Sequence, residues 1–503
     1  MLKVKKILLD DGPGLSAILN ESNAKELEIY PKDRIKITNE KTKKSIICKV
    51  EITNNSKKDF CSLKKGEIGM PSDSFEKLQV KENDKVKVTP AKKPSSLTYI
   101  KNKFQGKALQ EKEFKEIISD IVKGAYSDIE TTYFVLACAA HPLSDKEVVG
   151  LTKAMVASGK ELRFQTKKNP IILDKHCIGG VPGNRTTPLI IPIIAAAGLT
   201  IPKTSSRSIT SPSGTADTME VLCNVDLHIK DLYKIVKEHN ACIIWGGALE
   251  LSPADDIIIN VEHPLELDFE GQMIASILSK KKSAGSTHIL LDIPYGKGAK
   301  VEKKQHARRL QKRFETIGKK IGLTVKTMLS DGSQPVGKSI GPLYEAKEVL
   351  EILENKVEKK HDQRQKALEM AGIMLEMAGQ TKKGKGKEKA EKILSSGAAL
   401  QKLQEIIKAQ GEKKIPKNGK YSYEVKAERK GTIKSINNKH ISDLAFILGA
   451  PKDKAAGLIL NKKVDEKTTA DETLFTLYSN SKLKLDYAKI FLKNNTVYEL
   501  SKQ

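Results

Sequence analysis

Aromatic side chains are scarce in these 503 residues: one Trp, twelve Tyr and eleven Phe, 5% in all. So thin a set supplies no row of rings on which successive bases could stack, which speaks against a single-strand nucleic-acid groove. Cysteine is equally sparse. Cys48, Cys61, Cys138, Cys177, Cys223 and Cys242 are scattered with no close Cys-x-x-Cys pair. That pattern argues against a zinc site and a disulfide framework, and for a reducing compartment. No apolar run is long enough to span a bilayer, and no signal-peptide pattern opens the sequence. The expectation is a cytoplasmic protein with no membrane partner. Acidic charge is in deficit, 62 Asp and Glu against 88 Lys and Arg, for a formal charge of +26. Such an excess can serve a polyanion. Here acidic residues are interspersed almost everywhere, the pattern of a Lys/Glu-rich solvated surface, so nucleic acid is not the expected partner.

What is present concentrates between residues 171 and 220. An apolar run, 171–173, predicts a buried strand. A turn-rich loop, 174–185, follows it, then an apolar helix over 186–197 stopped by Gly198. Pro188 suits the first helical turn and Pro192 should kink the helix. A second loop, 204–215, holds five Ser, three Thr and Arg207. Strand, Gly-rich loop and helix together present backbone N–H groups to an anion. Lys175, Arg207 and the hydroxyls of Ser205, Ser206, Ser208, Thr210, Ser211, Ser213 and Thr215 add further donors suited to phosphate. Such clusters are often just solvated turns. Two in series, each after a strand, favour the anion.

The rest of the chain reads as several domains. Residues 1–90 alternate as β structure and contain a repeat: AKELEIYPKDRIKIT (24–38) matches FEKLQVKENDKVKVT (75–89). Each copy predicts a short strand, a polar turn and an alternating strand, and the duplication suggests a small pseudo-symmetric barrel similar to double-psi barrels. A linker covers 91–97. Helical periodicity runs from 107 to 159, with Asp128 as a candidate cap for the second helix and Ser144 or Asp145 for the third. His141, alone at a helix end, reads as structural. A buried strand is expected over 240–246 and a turn at 251–256, where Asp255 and Asp256 read as structural. Asp268, Ser276 and Lys280 lie eight and four apart, which on a helix places them on one face. A strand and Gly-rich loop follow over 290–301, then strand, loop and helix over 322–353. Residues 380–389 read as an exposed charged loop or helix start, 395–411 as an amphipathic helix with a Gly stop, and 420–503 as mixed β and α.

DKHCIGGV (174–181) and SSRSITSPSGTADTME (205–220) resemble the two signature loops of the thymidine and pyrimidine-nucleoside phosphorylases, and among these the archaeal-type AMP phosphorylase branch. Ser206, Arg207, Gly214, Thr215, Asp217 and Glu220 stand at the family's spacing. The resemblance covers most of the chain. It implies a multidomain α/β fold: a duplicated β-barrel-like domain over 1–90 and a helical domain over 97–165, with a later segment near 262–285. An α/β phosphate- and nucleotide-binding domain over 166–411, across a cleft from the helical domain, and a C-terminal α+β domain over 420–503 complete it. It also implies a homodimer or larger homo-oligomer acting on small molecules.

The implied reaction is phosphorolysis: phosphate attacks C1′ of the ribose and the base leaves. Lys175, Thr187, Ser205 and Thr215 match positions that hold the attacking phosphate, with backbone near Gly180 sharing the task. Ser206, Arg207, Ser208, Ile209, Thr210 and Ser211, together with Thr215, Gly180 and Lys300, would hold the nucleotide. Ser276 and Lys280 match base contacts. Asp268 matches the proton donor of the AMP branch, and His176 a histidine that assists proton transfer or positioning. Three departures from the nucleoside enzymes stand out. Cys177 replaces a phosphate-binding Ser, a loss Thr186 or Thr187 could offset. Val261 stands where those enzymes carry an Arg that grips the pyrimidine. Lys300 stands where they are apolar. The last two tilt the expectation from nucleosides to AMP, with CMP and UMP as further substrates. No cofactor or metal is expected, because lysines, an arginine and backbone dipoles can neutralise the phosphate. Two alternatives remain: a thymidine or pyrimidine-nucleoside phosphorylase, and a basic nucleic-acid-binding or assembly protein with an inactive phosphorylase domain.

Overall fold

The computed structural model describes residues 1–9, 15–53, 63–164, 170–208, 211–249, 251–265, 267 and 269–501. The chain forms two compact units, one of residues 1–160 and 252–279, the other of residues 161–251 and 280–503.

The first unit begins with six strands: β1 (Leu2–Ile7), β2 (Ser16–Asn20), β3 (Arg34–Asn39), β4 (Ser45–Thr53), β5 (Glu67–Pro71) and β6 (Lys85–Pro90). They close into a barrel in the order β1-β5-β2-β4-β3-β6. Alternate residues such as Val4, Ile35, Ile37, Val50, Ile68 and Val86 point inward and form its core. The barrel repeats its own ladders. β1 pairs with β5 in parallel, as β4 does with β2, and β3 pairs antiparallel with β4, as β6 does with β1. Exchanging the two halves therefore leaves the pairing pattern unchanged. Turn chemistry repeats too. Glu28 and Gln79 have φ of 53° and 55°, and Lys32 and Asn83 have 71° and 67°. Asp33 and Asp84 each accept a backbone N–H from three residues earlier at 2.8 Å.

The short strand expected at the head of each copy is instead a helix, α1 (Glu21–Glu26) and α2 (Ser72–Leu78). Asn20 accepts from Ser22 N at 2.8 Å and so starts α1. Six or seven residues are too few for periodicity to separate the two states. Helices α3 (Leu97–Phe104), α4 (Glu111–Val122), α5 (Asp128–Ala140) and α6 (Asp145–Ser158) follow. The N-cap of α5 is Ser127, one residue before the expected Asp128; its backbone N–H donates to Glu130 at 2.9 Å. Ser144 caps α6 as expected. His141 lies at the end of α5 with Nε2 3.1 Å from Phe104 O, a structural contact.

The next elements are β7 (Leu173–Cys177), α7 (Thr187–Ala196), β8 (Ile201–Ser205), α8 (Thr215–Met219), α9 (Ile229–His239) and β9 (Ala241–Trp245). After them come α10 (Pro253–Glu262), α11 (Glu270–Ser283), β10 (His288–Tyr295), α12 (Lys304–Lys320) and β11 (Thr324–Asp331). α10 and most of α11 belong to the first unit. Parallel strands run β11-β10-β7 and β8-β9, and a parallel bridge joins Ile172 to Thr200. α7 is buried from Thr187 to Ala195, as befits a helix apolar all round.

Two expectations change here, and a third falls partly outside the described residues. Residues 174–177 are strand, not loop, because β10 pairs with each of them, Asp174 to Ile289 through Cys177 to Asp292. Residues 253–256 open α10 instead of forming a turn: Ser252 is its N-cap and Asp255 and Asp256 fill its first turn, where carboxylates complement the helix dipole. α11 begins at Glu270, so Ser276 and Lys280 are one turn apart on it, while Asp268 lies outside the described residues.

The second unit continues with β12 (Ser339–Ile340), α13 (Pro342–Leu353), α14 (Asp362–Met377), α15 (Gly386–Ser395) and α16 (Ala398–Ala409). Residues 386–389 of the charged stretch are thus a helix start. The C-terminal part comprises β13 (Tyr421–Lys426), β14 (Gly431–Ile436), α17 (Asn438–Leu448), β15 (Gly457–Leu460), β16 (Lys467–Thr468), β17 (Thr473–Ser479), α18 (Lys482–Asn494) and β18 (Tyr498–Leu500). Its main sheet runs β12-β15-β17-β13, so β12 ties it to the α/β core. Among the described residues, no helix is long and apolar enough to cross a membrane.

Candidate anion site

Charged residues enter the α/β core along β7. Alternation sends Asp174 and Lys175 to opposite sides of the strand. Asp174 is fully buried. Its carboxylate lies 2.9 Å from Lys281 Nζ and 3.6 Å from Lys203 Nζ. Burial works to raise the Asp174 pKa, but the two ammonium groups overcome it and hold the carboxyl below its ordinary value. Burial pulls Lys203 well below the usual lysine range, against the pull of Asp174. Both lysines also donate to Thr204 O, at the entrance to the second loop.

On the other side, Lys175 Nζ donates to Thr187 Oγ1 at 3.4 Å, and burial lowers its pKa. Asp292, on β10 opposite Cys177, accepts from Asn184 Nδ2 at 3.1 Å and Ser330 Oγ at 2.5 Å. Lys366 Nζ lies 2.8 Å from its carboxylate. Burial opposes ionisation of Asp292, yet Lys366 and Lys175 keep its pKa below the ordinary value. Buried Lys203 and Lys281 thus face Asp174, and buried Lys175 and half-buried Lys366 lie about Asp292. Each carboxylate has two lysines about it, an excess of cationic groups that suits an anion. Thr186 Oγ1 is buried with no hydrogen-bond partner among the described residues, as suits a donor kept for a ligand.

Two groups in this region are poor charge carriers. The pKa of His176 lies well below 6.5, first through desolvation and then through Lys281, Lys203 and Lys175, so its ring is neutral near pH 7. Burial and then Asp292 push the Cys177 thiol up to about 11. Its sulfur accepts from Gly179 N at 3.4 Å and Asn184 Nδ2 at 3.3 Å. It braces the loop where a hydroxyl donor would otherwise stand.

The second loop is pinned from two directions. Arg185, 8% exposed, joins Glu345 Oε2 at 2.6 Å, Ser213 O at 2.6 Å and Thr215 Oγ1 at 3.2 Å. Asp217 Oδ2 accepts from Ser208 N at 2.7 Å and Gly214 N at 2.9 Å. A Cβ on Gly214 would stand 2.6 Å from Ser206 O, so the loop closes only over glycine. Arg207, expected from the sequence to help hold the nucleotide, is paired with Glu220 in this structure. Its two terminal nitrogens each lie 2.8 Å from a Glu220 carboxylate oxygen, and its guanidinium sits 5.0 Å from the Trp245 ring centroid.

The structure brings together Lys175 with Thr187, Thr215 with Arg185, and Gly180 with Lys300. A Cβ on Gly180, where φ is +87°, would meet Lys300 N at 2.7 Å and Lys300 Cβ at 2.9 Å. Lys300 is exposed, Ser206 is exposed and Ser205, Ser208 and Ser211 are half-buried. Ser208 Oγ donates to Ser211 O, and Ser211 Oγ to Ser213 O at 2.9 Å. In the first unit, Ser276 Oγ donates to Asp255 Oδ2 at 2.9 Å. Lys280 is half-buried on α11. Ile209, Thr210 and Asp268 lie outside the described residues. Sequence reasoning missed Asp174, Arg185, Lys203, Lys281, Asp292, Glu345 and Lys366. One signal was available: two apolar strand segments, IILD at 171–174 and ILLD at 289–292, each end in an aspartate. Among the described residues, no group of three or more His, Cys, Asp or Glu is placed to hold a metal ion.

Comparison with known proteins identifies three parts of the chain. Residues 97–159 match the family described as "Glycosyl transferase family, helical bundle domain", residues 169–400 "Glycosyl transferase family, a/b domain", and residues 432–499 "Pyrimidine nucleoside phosphorylase C-terminal domain". A relative from Legionella pneumophila (strain Paris) is 44% identical over 432 residues, 86% of this chain and 83% of its own. Another, from Rhodopseudomonas palustris (strain BisA53), is 42% identical over 481 residues, 95% of this chain and 92% of its own. Both are named "Putative thymidine phosphorylase". Anthranilate phosphoribosyltransferase from Saccharomyces cerevisiae, solved with PRPP and Mg, is 14% identical with a TM-score of 0.50 over 63% of this chain and 98% of its own, a likeness of fold. With helical, α/β and C-terminal parts all matched in order, the chain belongs to the pyrimidine-nucleoside phosphorylase family of pentosyltransferases.

Proposed function

We propose that this chain phosphorolyses nucleoside 5′-monophosphates, AMP foremost, to free base and ribose 1,5-bisphosphate. The carrying observation is Lys300 packed against Gly180 of the first anion loop. That contact puts the Lys300 main chain beside the first anion loop, and in this reading its side chain supplies the cation that a second phosphate on the sugar would need. Val261, buried on α10, supports the same reading, since it removes the guanidinium that a pyrimidine-specific enzyme would use.

In this scheme inorganic phosphate lies between Lys175, Thr187, Ser205 and Thr215, with the lysine excess beneath it. One of its oxygens forms a bond to C1′ as the C1′–N bond breaks, and the bond's electron pair goes to the base. Asp268 supplies the proton that neutralises the leaving adenine, and Ser276 and Lys280 hold the base. The neutral ring of His176 positions substrate and does not act as a cation. The names of the relatives favour a second reading, thymidine as substrate. The test is phosphate-dependent base release from AMP, adenosine and thymidine. The nucleotide enzyme strongly prefers AMP, and Lys300→Ala narrows the AMP-to-adenosine ratio of kcat/KM by about one to two powers of ten, through AMP alone. Equal cleavage of thymidine and AMP, or an unchanged ratio in the variant, returns the assignment to nucleosides.

A further inference from the structure

Arg207 is committed to Glu220, yet Glu220 does not depend on Arg207 alone. Lys454, in the segment between α17 and β15, places Nζ 2.9 Å from Glu220 Oε2, the oxygen that also faces Arg207 Nη1 at 2.8 Å. The same ammonium lies 3.3 Å from Asp217 Oδ1, and Arg207 Nη1 lies 3.5 Å from that atom. Two cations and two carboxylates form a neutral cluster. Asp217 is further neutralised by the N–H groups of Ser208 and Gly214. Lys454 itself is set by its main chain, whose carbonyl accepts Leu343 N at 3.1 Å at the start of α13. The Arg207 side chain is 35% exposed, so solvent reaches it.

A guanidinium takes carboxylate and phosphate with the same planar geometry and can exchange one for the other. The cost of exchange is the charge left behind. With Lys454 in place, departure of Arg207 leaves one net negative charge shared over a cluster that still holds an ammonium. Without Lys454 it leaves two bare carboxylates, and Arg207 stays where it is. We propose that Lys454 is a specificity-determining residue: it takes over Glu220 and Asp217 and so releases Arg207 to a 5′-phosphate. The proposal rests on the nucleotide reading above and adds a named residue of the C-terminal region to it.

Trp245 is the chain's one tryptophan, and Arg207 lies against its ring, so intrinsic emission reports directly on Arg207. The experiment uses the full chain, titrated with AMP and with adenosine, followed by steady-state kinetics with saturating phosphate. Wild type shifts its emission with AMP and not with adenosine. Lys454→Met raises KM for AMP about tenfold, leaves kcat/KM for adenosine within about twofold, and suppresses the emission change. Lys454→Arg restores both, and adding Glu220→Gln to Lys454→Met lowers KM for AMP again by removing the carboxylate that retains Arg207. A Lys454 that merely ties the C-terminal region down would cost AMP and adenosine alike, and that result overturns the proposal. So does an AMP-saturated wild type with unchanged emission. If wild type handles adenosine as well as AMP, the nucleotide reading has failed before any variant is made, and this proposal goes with it.

Discussion

The barrel and the α/β core use the same alternation of strand side chains for opposite ends. In the barrel, inward positions are hydrocarbon: Ile35, Ile37, Val86 and Val88 on β3 and β6. In the core, β7 and β10 carry Asp174, Lys175 and Asp292 inward. Burying an unpaired charge costs several kcal/mol, so a sheet built only for stability carries hydrocarbon there. In the function proposed above, the excess of ammonium groups in this region finds its remaining counter-charge in the phosphate substrate. The contrast separates scaffold from site without reference to any relative.

The sharpest way to break the contrast is Lys175→Ala. It removes one cation of the excess, so kcat/KM with respect to phosphate should fall by about 10²–10³-fold, mostly through KM for phosphate, with the circular dichroism spectrum unchanged. An unaltered phosphate dependence would mean that the buried lysines serve folding only. The barrel counterpart is Ile37→Ala. It should lower unfolding free energy by about 2–5 kcal/mol in denaturant titration and leave kcat/KM of the folded enzyme within about twofold. A large catalytic loss in folded Ile37→Ala would erase the distinction between the regions.

The smallest expected effect is on acidification. The hydrogen bond from Arg207 is the leading cause that holds Glu220 at about 2, against an ordinary 4.5, with Lys454 adding to it. A carboxyl depressed on folding contributes stability that is complete above the unfolded value and lost as pH falls through the folded one. Trp245 emission should therefore hold steady from pH 7 to well below the ordinary 4.5 and change only as pH falls through about 2, where the Glu220 ties are lost. A transition near pH 6 instead would point to another group.

The loops were legible because glycine, serine and proline act locally. Gly180 and Gly214 stand where a Cβ would strike Lys300 or Ser206, and a residue type carries that information by itself. The barrel repeat was legible because two copies can be laid side by side, down to Asp33 and Asp84. The first turn of each copy was misread because α1 and α2 are too short to show a period. The charged strand was misread as loop for a different reason. DKHC looks like solvent-exposed sequence until β10 supplies its partners and Lys203 and Lys281 the counter-charges of Asp174, from 29 and 107 positions away.

By itself, the sequence determined the barrel's internal symmetry, the order of helical, α/β and C-terminal parts, and the places of the Gly-rich and Ser-rich loops, since each follows from spacing and residue type along a short stretch. Only the tertiary structure decided which charges face each other. It put Lys203 and Lys281 on Asp174, Arg185 on Glu345, and Lys454 beside Arg207 on Glu220. Electrostatic partnership depends on distance in space and on burial, and neither quantity is written in the spacing of residues along the chain.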